Sequence, residues 1–183
     1  MMRIFDVILA ALGLIVLAPL IAVLWLLCLL DTGSPLFIQE RVGFEQKPFR
    51  LVKFRTMRPD TVSVATHLVN ARAVTPLGRF LRRYKLDELP QLWNVLKGEM
   101  SLVGPRPCLP NQLELIQERA KRGVFAARPG ITGLAQIMGI DMSNPRLLAK
   151  TDARMLKEMN VRAYFRYILK TLTGAGSGDR IRT

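Results

Sequence analysis

Cysteine and histidine are scarce in this chain: its 183 residues include two cysteines, Cys28 and Cys108, and one histidine, His67. Because Cys28 lies inside an apolar run, the two cysteines are a poor basis for a disulfide framework. A single histidine argues against multi-histidine metal sites and Ser-His triads, and we expect it to be an ordinary surface or core residue. These shortages favour a domain on the cytoplasmic side. Internal repeats and low-complexity blocks do not stand out either.

Acidic residues are also few. The chain has 14 Asp and Glu against 27 Lys and Arg, which gives a formal net charge of +13 and a pI near 10.7. Such an excess indicates an anionic partner, which can be nucleic acid, an acidic membrane surface or a phosphorylated substrate. The length suits one domain of ordinary size with a real core.

Charge is missing altogether from Val7 to Leu30. This run of about two dozen residues is long enough to cross a hydrocarbon core, and it lacks the cleavage site of a signal peptide. Pro19 falls near its middle, where a proline kinks a helix. Basic residues flank both ends, with Arg3 before the run and several from Arg41 onward after it, which fits poorly with one end being translocated. Two interpretations remain open: a re-entrant helix with both ends in the cytoplasm, and a kinked span.

Two adjacent carboxylates, Asp87 and Glu88, lie within a basic and apolar segment. Aspartate favours the helix N-cap and Pro90 is tolerated in a first turn, so we expect a helix that begins at Asp87 and carries apolar residues to Leu96. The positive end of that helix and the basic residues between 79 and 85 favour the ionised carboxylate. Such a carboxylate can attack phosphorus, and the pair can hold Mg²⁺ together with substrate phosphates. Taken alone, a simple cap is the commoner explanation of such a pair.

Three basic loops favour phosphate chemistry over a simple helix cap as the role of Asp87 and Glu88. In Gly104-Pro105-Arg106-Pro107 two prolines fix φ on either side of Arg106, so less entropy is lost when its guanidinium is presented to a ligand. Arginine is also the residue suited to bidentate recognition of phosphate. The other two loops are residues 128–133, which begin with Arg128, and residues 53–57, which contain Lys53 and Arg55.

The rest of the pattern predicts a mainly helical α+β fold. We place a small β-hairpin at Leu36–Val42 and Phe49–Phe54. A helix at 77–96 is expected in two pieces that meet near Asp87, and a second helix from Asn111 to Gly123 begins with a capping box that includes Glu114. Two more helices are expected, one from Ser143-Asn144-Pro145 to just before Asn160 and one at Val161–Leu172.

The last of these helices alternates apolar residues such as Tyr164 with basic ones such as Arg166, a pattern typical of a helix at an anionic lipid interface. A helix that covers the protein's own core looks similar and is the commoner case. Residues 58–75 show no strong periodicity and predict a loop or a short helix. The glycine-rich tail, residues 174–183, is expected to be flexible.

These motifs together resemble the bacterial sugar transferases, also called monotopic phosphoglycosyl transferases, in the small form that consists of the catalytic core alone. Five motifs in the right order carry the resemblance, and it covers nearly the whole chain. They lie at residues 53–57, 86–92, 94–98, 100–107 and 128–136, after an Arg3-Ile4-Phe5-Asp6 start.

The resemblance implies a re-entrant membrane helix-break-helix, residues 1–31, with its break at Ala18 and Pro19. Many relatives have serine where this chain has Ala18, and a serine hydroxyl can satisfy a carbonyl that the kink frees. The resemblance further implies a catalytic domain with amphipathic, interfacial helices over residues 32–173, followed by the tail. The enzyme is expected at the cytoplasmic face of the bacterial inner membrane.

The activity implied is transfer of a sugar-1-phosphate from a UDP-sugar to polyprenyl (undecaprenyl) phosphate, with release of UMP, at the start of O-antigen, capsule, exopolysaccharide or glycoprotein glycan assembly. By this likeness Asp87 is the nucleophile of a covalent phosphosugar-aspartyl intermediate, and Glu88 and Asp87 hold Mg²⁺. The phosphate-binding residues are expected to be Lys53, Arg55, Arg106 and Arg128. The expected partners are the UDP-sugar, the polyprenyl phosphate and an anionic phospholipid membrane, but no nucleic acid, and a homodimer is left open.

Two other functions compete with this one. A membrane-tethered nucleic-acid binder accounts for the positive charge, but it lacks a recognised binding motif and leaves Asp87 and Glu88 idle. A noncatalytic scaffold for glycan assembly keeps the fold and discards the chemistry, which an intact Asp-Glu pair argues against. Residues 137–154 are expected to contact the sugar, which we take to be an N-acetylated or a 6-deoxy N-acetylated hexosamine.

Overall fold

The structure is a computed structural model that describes residues 2–59, 61 and 73–175. His67, most of the predicted loop at 58–75 and most of the predicted tail at 174–183 lie outside the described residues. The fold is mainly helical, as predicted, and has two small sheets. In chain order the elements are α1 (Met2–Thr32), β1 (Leu36–Val42), β2 (Pro48–Phe54), α2 (Pro76–Arg83), α3 (Gln91–Lys97), β3 (Ser101–Val103), α4 (Leu113–Ala120), β4 (Gly130–Thr132), α5 (Leu134–Ile137), α6 (Pro145–Lys157) and α7 (Val161–Leu172).

The apolar segment forms one helix, α1, of 31 residues. The predicted break at Ala18 and Pro19 does not interrupt it, because a proline removes one backbone hydrogen bond while the rest of an apolar helix keeps its own. Both residues are exposed. The helix-break-helix prediction is therefore not confirmed. Among the described helices, α1 is the one that is long and apolar enough to cross a membrane.

One stripe of α1 packs against the rest of the chain along nearly its whole length. Near its start, the Arg3 guanidinium donates to the carbonyl of Leu96 at 3.0 Å. In the middle, Gly13 faces the side chain of Leu92. Near its end, Cys28 is buried in a cluster with Phe54 and other apolar residues. Both ends of α1 therefore contact the same domain.

The predicted hairpin strands lie at the predicted positions, with β2 beginning one residue earlier than expected. The strands pair antiparallel from Leu36 opposite Phe54 to Val42 opposite Pro48. Asn94 on α3 fastens this sheet to the helix, because its side chain accepts from Val52 N and donates to Arg50 O. The hairpin is thus fixed beside α3.

The predicted helix at 77–96 occurs in pieces, but α3 begins at Gln91 rather than at Asp87. Asp87 lies instead in a separate 3₁₀ turn, Leu86–Glu88, which follows Lys85 with φ at 56°. In this turn the N–H groups of Glu88 and Leu89 bond to the carbonyls three residues back, Lys85 O and Leu86 O, rather than four back as in an α-helix, and α3 starts only after Pro90. The prediction that Asp87 caps the helix was wrong.

A second sheet was not predicted. Strands β3 and β4 are three residues each and pair in parallel, Ser101 beside Gly130 and Val103 beside Thr132. Strands this short show no periodicity in a sequence. They matter because each one leads into or out of a predicted phosphate-binding loop.

Of the later helices, α6 and α7 lie where the sequence predicts them, and α5 was not predicted. Asn144 and Asn160 are the N-caps of α6 and α7, and their side chains accept from the backbone N–H groups of Leu147 and Ala163. The capping box at Asn111 was wrong: α4 starts after Gln112, which uses its side chain to accept from Leu109 N instead, and the helix ends at Ala120.

Helix α7 mostly covers the protein's own core. Tyr164 and Tyr167 are buried, and Phe165 and Ile168 pack against the same cluster. Its exposed side carries Arg162 and Arg166, and its exposed apolar residues are at its two ends, Val161 at the start and Leu169 and Leu172 at the finish, so the commoner of the two interpretations of this helix holds for most of its length.

Candidate active site

The acidic pair sits on the 3₁₀ turn Leu86–Glu88, which we call the dyad turn. Leu86 and the following Leu89 pack into the apolar cluster that contains Phe54 and Cys28, and this packing fixes the turn against β2, α2 and the end of α1. Asp87 is 5% exposed. A carboxylate held in this way has little conformational freedom to lose when it meets a substrate.

The loop predicted to present an arginine does reach the dyad turn. The Arg106 guanidinium donates to Oε1 of Glu88 at 3.0 Å, and both side chains are partly buried. The structure therefore brings together three of the predicted site residues: Asp87, Glu88 and Arg106.

The backbone around Arg106 is held from several sides. Pro105 and Pro107 have no N–H, so their loop depends on its carbonyls for hydrogen bonding. All five carbonyls from 104 to 108 accept a bond, and the donors are Gln136 Nε2 for Gly104, Gly130 N for Pro105, Arg119 Nη1 for Arg106, Arg41 Nη1 for Pro107 and Val42 N for Cys108. Arg106 is thus presented from a rigid support.

Glycine is required where this loop meets the loop that contains Arg128. A Cβ on Gly104 would lie 2.4 Å from the Arg128 carbonyl oxygen, and one on Gly130 would lie 2.0 Å from the Gly104 nitrogen. Backbone atoms cannot give way at such distances. The two motifs are therefore glycine-rich because their backbones touch.

Arg128 itself points elsewhere. Its Nε donates to the carbonyl of Gly98 at 2.8 Å, and its guanidinium lies 5.3 Å from the ring centroid of Phe44. Gly98 ends α3, whereas the dyad turn precedes that helix, so about 10 Å of helix separates the two sites. A cation at a helix C-terminus is favourable. The structure does not bring Arg128 to the dyad turn, and its contact with phosphate stays a prediction.

Lys53 and Arg55 lie at the end of β2, which packs against the dyad turn. Both cations lie 5.5 Å from the ring centroid of Phe37. Arg55 also donates to the carbonyl of Ser34 at 3.1 Å. These residues are near the dyad turn, and their phosphate-binding role likewise stays a prediction.

The carboxylates near Arg106 suit one kind of metal site only. Within residues 2–59, 61 and 73–175, no group of three or more His, Cys, Asp and Glu side chains can hold a metal ion. Two neighbouring carboxylates, Asp87 and Glu88, fit an Mg²⁺ ion whose other ligands are substrate phosphates and water. They do not fit a closed protein cage.

Sequence reasoning missed Asp6, which lies at the start of α1. Its Oδ1 accepts from Ser101 Oγ, Leu102 N and the Tyr164 hydroxyl, each at 2.8 Å. Burial and the hydrogen bond to Asp6 raise the pKa of Tyr164, so this hydroxyl stays a donor. The signal was available, since a carboxylate directly before a long apolar run needs partners. Asp6 ties α1 to β3, the strand that leads to Arg106.

Sequence reasoning also missed a buried ion pair between α4 and α6. Arg119 Nη2 donates to Asp152 Oδ2 at 2.7 Å. Neither residue lies in a recognised motif, and no local pattern in the sequence marks it.

The sequence of this chain is similar to a known protein family and to several individual proteins. The family described as bacterial sugar transferase matches residues 1–177. An undecaprenyl-phosphate glucose phosphotransferase of Komagataeibacter xylinus is 44% identical over 82% of this chain and 29% of its own length. A UDP-glucose:undecaprenyl-phosphate glucose-1-phosphate transferase of Caulobacter vibrioides is 45% identical over 75% of this chain and 54% of its own. The exopolysaccharide production protein ExoY of Sinorhizobium fredii is 34% identical over 93% of this chain and 83% of its own. The chain thus spans about a third of the length of the first of these relatives and about half of the length of the second.

Proposed function

Because this chain belongs to the bacterial sugar transferase family, we propose that it moves a sugar-1-phosphate from a UDP-sugar to undecaprenyl phosphate and releases UMP. Several relatives carry names for this type of reaction with glucose or galactose. The observation that carries the proposal is the buried Asp87 beside Glu88, with Arg106 bonded to that neighbour. The product would initiate a bacterial glycan such as an exopolysaccharide or a capsule.

In the proposed reaction, a carboxylate oxygen of Asp87 attacks the phosphorus that carries the sugar. The bond from this phosphorus to the bridging oxygen breaks, and UMP leaves with its electron pair. A phosphate oxygen of the acceptor then attacks the same phosphorus, which frees Asp87. A carboxylate nucleophile thus divides one displacement into two easier ones.

The charges near Asp87 suit this chemistry. Arg106 already lies beside a carboxylate of the dyad turn, so its guanidinium is within reach of a phosphate brought to Asp87. Asp87 and Glu88 would hold Mg²⁺, which neutralises diphosphate charge as the leaving group departs. Lys53 and Arg55 at the end of β2 would add positive charge to the same region.

We further propose that both ends of α1 lie on the cytoplasmic face of the bilayer. Arg3 bonds to Leu96 O near one end of α1, and Cys28 packs with Phe54 near the other. A helix that crossed the bilayer would carry Arg3 away from this domain and break that contact. The outward residues of α1 are apolar and exposed, Ile15 and Val16 among them, which suits contact with lipid.

The test is UMP release by the purified chain in nanodiscs, with undecaprenyl phosphate and a panel of UDP-sugars. UDP-glucose and UDP-galactose come first because of the relatives' names, ahead of the N-acetylated and 6-deoxy N-acetylated hexosamines expected from the sequence. We expect multiple-turnover release with at least one donor, dependent on both acceptor and Mg²⁺. No release with any donor would contradict the proposal.

A further inference from the structure

We propose that Arg119 and Asp152 are positioning residues for the site: they hold the backbone of Arg106 and so determine where its guanidinium lies. The inference rests on the proposed function, since it gives Arg106 a phosphate to meet. It goes beyond that function because neither residue lies in the motifs that mark the family.

The contacts of Arg119 support this role. Arg119, on α4, is 2% exposed, and Asp152, on α6, is fully buried. Arg119 donates through Nε and Nη2 to Oδ2 of Asp152, at 3.0 and 2.7 Å, and through Nη1 to the carbonyl of Arg106 at 2.8 Å. One rigid guanidinium therefore joins two helices to the residue that contacts Glu88.

A contribution to stability does not explain why this buried ion pair is present. Replacing a buried ion pair by apolar residues of similar volume is often neutral or stabilising. Here the pair carries an added cost, because Asp152 Oδ1 has no hydrogen-bond partner among the described residues and burial raises the pKa of Asp152. An apolar pair would fill the space between α4 and α6. It could not donate to the carbonyl of Arg106.

The decisive variant is therefore the double replacement Arg119→Met with Asp152→Leu. We expect its thermal midpoint to stay close to that of the unaltered chain and its UMP release to fall about 100-fold, since misplacement of a substrate-contacting group by about 1 Å has this effect. Arg119→Lys keeps the charge pair but loses the fork of donors, and we expect it to fold and to show an intermediate rate. The matched control is Glu118→Leu with Arg122→Met, which removes a partly buried ion pair at the C-terminal end of α4 and should leave the rate unchanged.

A double-mutant cycle with Arg106→Ala distinguishes a positioning role of Arg119 and Asp152 from a purely structural one. If Arg119 acts through Arg106, the double replacement should slow the unaltered chain about 100-fold and the Arg106→Ala variant much less. Equal slowing in both backgrounds would overturn the inference, and so would a well-folded double variant or Arg119→Lys variant at full rate. Full turnover by Arg106→Ala would overturn it as well. Absence of turnover in the unaltered chain would instead contradict the proposed function.

Discussion

The two ends of α3 each receive an arginine from a loop that contains proline, and they use it differently. At the dyad turn, Arg106 meets the carboxylate of Glu88. At the other end, Arg128 meets the carbonyl of Gly98, and Arg3 meets that of Leu96. A helix C-terminus leaves carbonyls without partners, and cations satisfy them. Similar arginine-proline motifs can therefore pair with a carboxylate at one end of the helix and with a backbone carbonyl at the other.

The largest expected effect is at the dyad turn. Asp87→Asn removes the proposed nucleophile while keeping the shape of the side chain, so UMP release should fall by about 10⁴-fold or more. The measurement is turnover in nanodiscs beside a thermal unfolding curve. Glu114→Gln, on the exposed side of α4, is the control and should turn over normally.

The second prediction compares the two arginines directly. Arg106→Ala should lower kcat/KM about 100-fold, because it removes a charged donor next to the reacting group. Arg128→Ala should cost about 1 kcal/mol of stability through its lost hydrogen bond and ring contact, with a smaller loss of kcat/KM. Kinetics and unfolding of both variants check this. An equal loss of kcat/KM in Arg128→Ala and Arg106→Ala, with the stability of Arg128→Ala unchanged, would contradict the different roles that we give the arginines at the two ends of α3.

The third prediction concerns the start of α1, where Arg3 contacts the C-terminal end of α3. Arg3→Gln loses charged hydrogen bonds to Leu96 O and Met100 O, and should lower the free energy of unfolding by about 1 to 2 kcal/mol. We expect looser packing of α1, visible as faster proteolysis of the chain in nanodiscs. Unchanged proteolysis and unfolding would show that this contact does not hold α1 to the domain.

The smallest effect is a pH dependence at Glu118, near the C-terminal end of α4. Hydrogen bonds from Arg122 and Lys121 lower the pKa of Glu118. A lowered pKa in the folded state means stability that is present above the ordinary pKa of glutamate and is lost as the pH falls through the lowered value. The thermal midpoint of Glu118→Gln should therefore lie slightly below that of the unaltered chain at pH 7, and the gap should close in acid. A gap that persists at low pH would argue against this pair.

Local patterns in the sequence predicted much of the fold. The helix that begins after Asn160, the strands of the hairpin and the pieces around the dyad turn follow from spacing and capping. The start of α3 was missed because the acidic turn is held by hydrogen bonds to carbonyls three residues back, and no residue preference distinguishes this turn from the first turn of an α-helix. Strands β3 and β4 were missed because three residues are too few for a pattern.

The site was predictable in its residue types rather than in its geometry. The acidic pair and Arg106 were identified from motifs, and the structure joins them. Which arginine would reach the dyad turn depended on the unpredicted sheet, because β3 and β4 place the loops of Arg106 and Arg128 back to back. The pair Arg119 and Asp152 depends on contacts between distant helices, which a single sequence does not reveal.

The most direct test of the central claim is the intact mass of the protein after incubation with a donor that supports turnover and with no acceptor. The account predicts a mass increase equal to one sugar phosphate, located by peptide mapping on Asp87 and removed when undecaprenyl phosphate is added. Rapid-quench samples that show full turnover on later addition of acceptor, but no such adduct at any time, would contradict it.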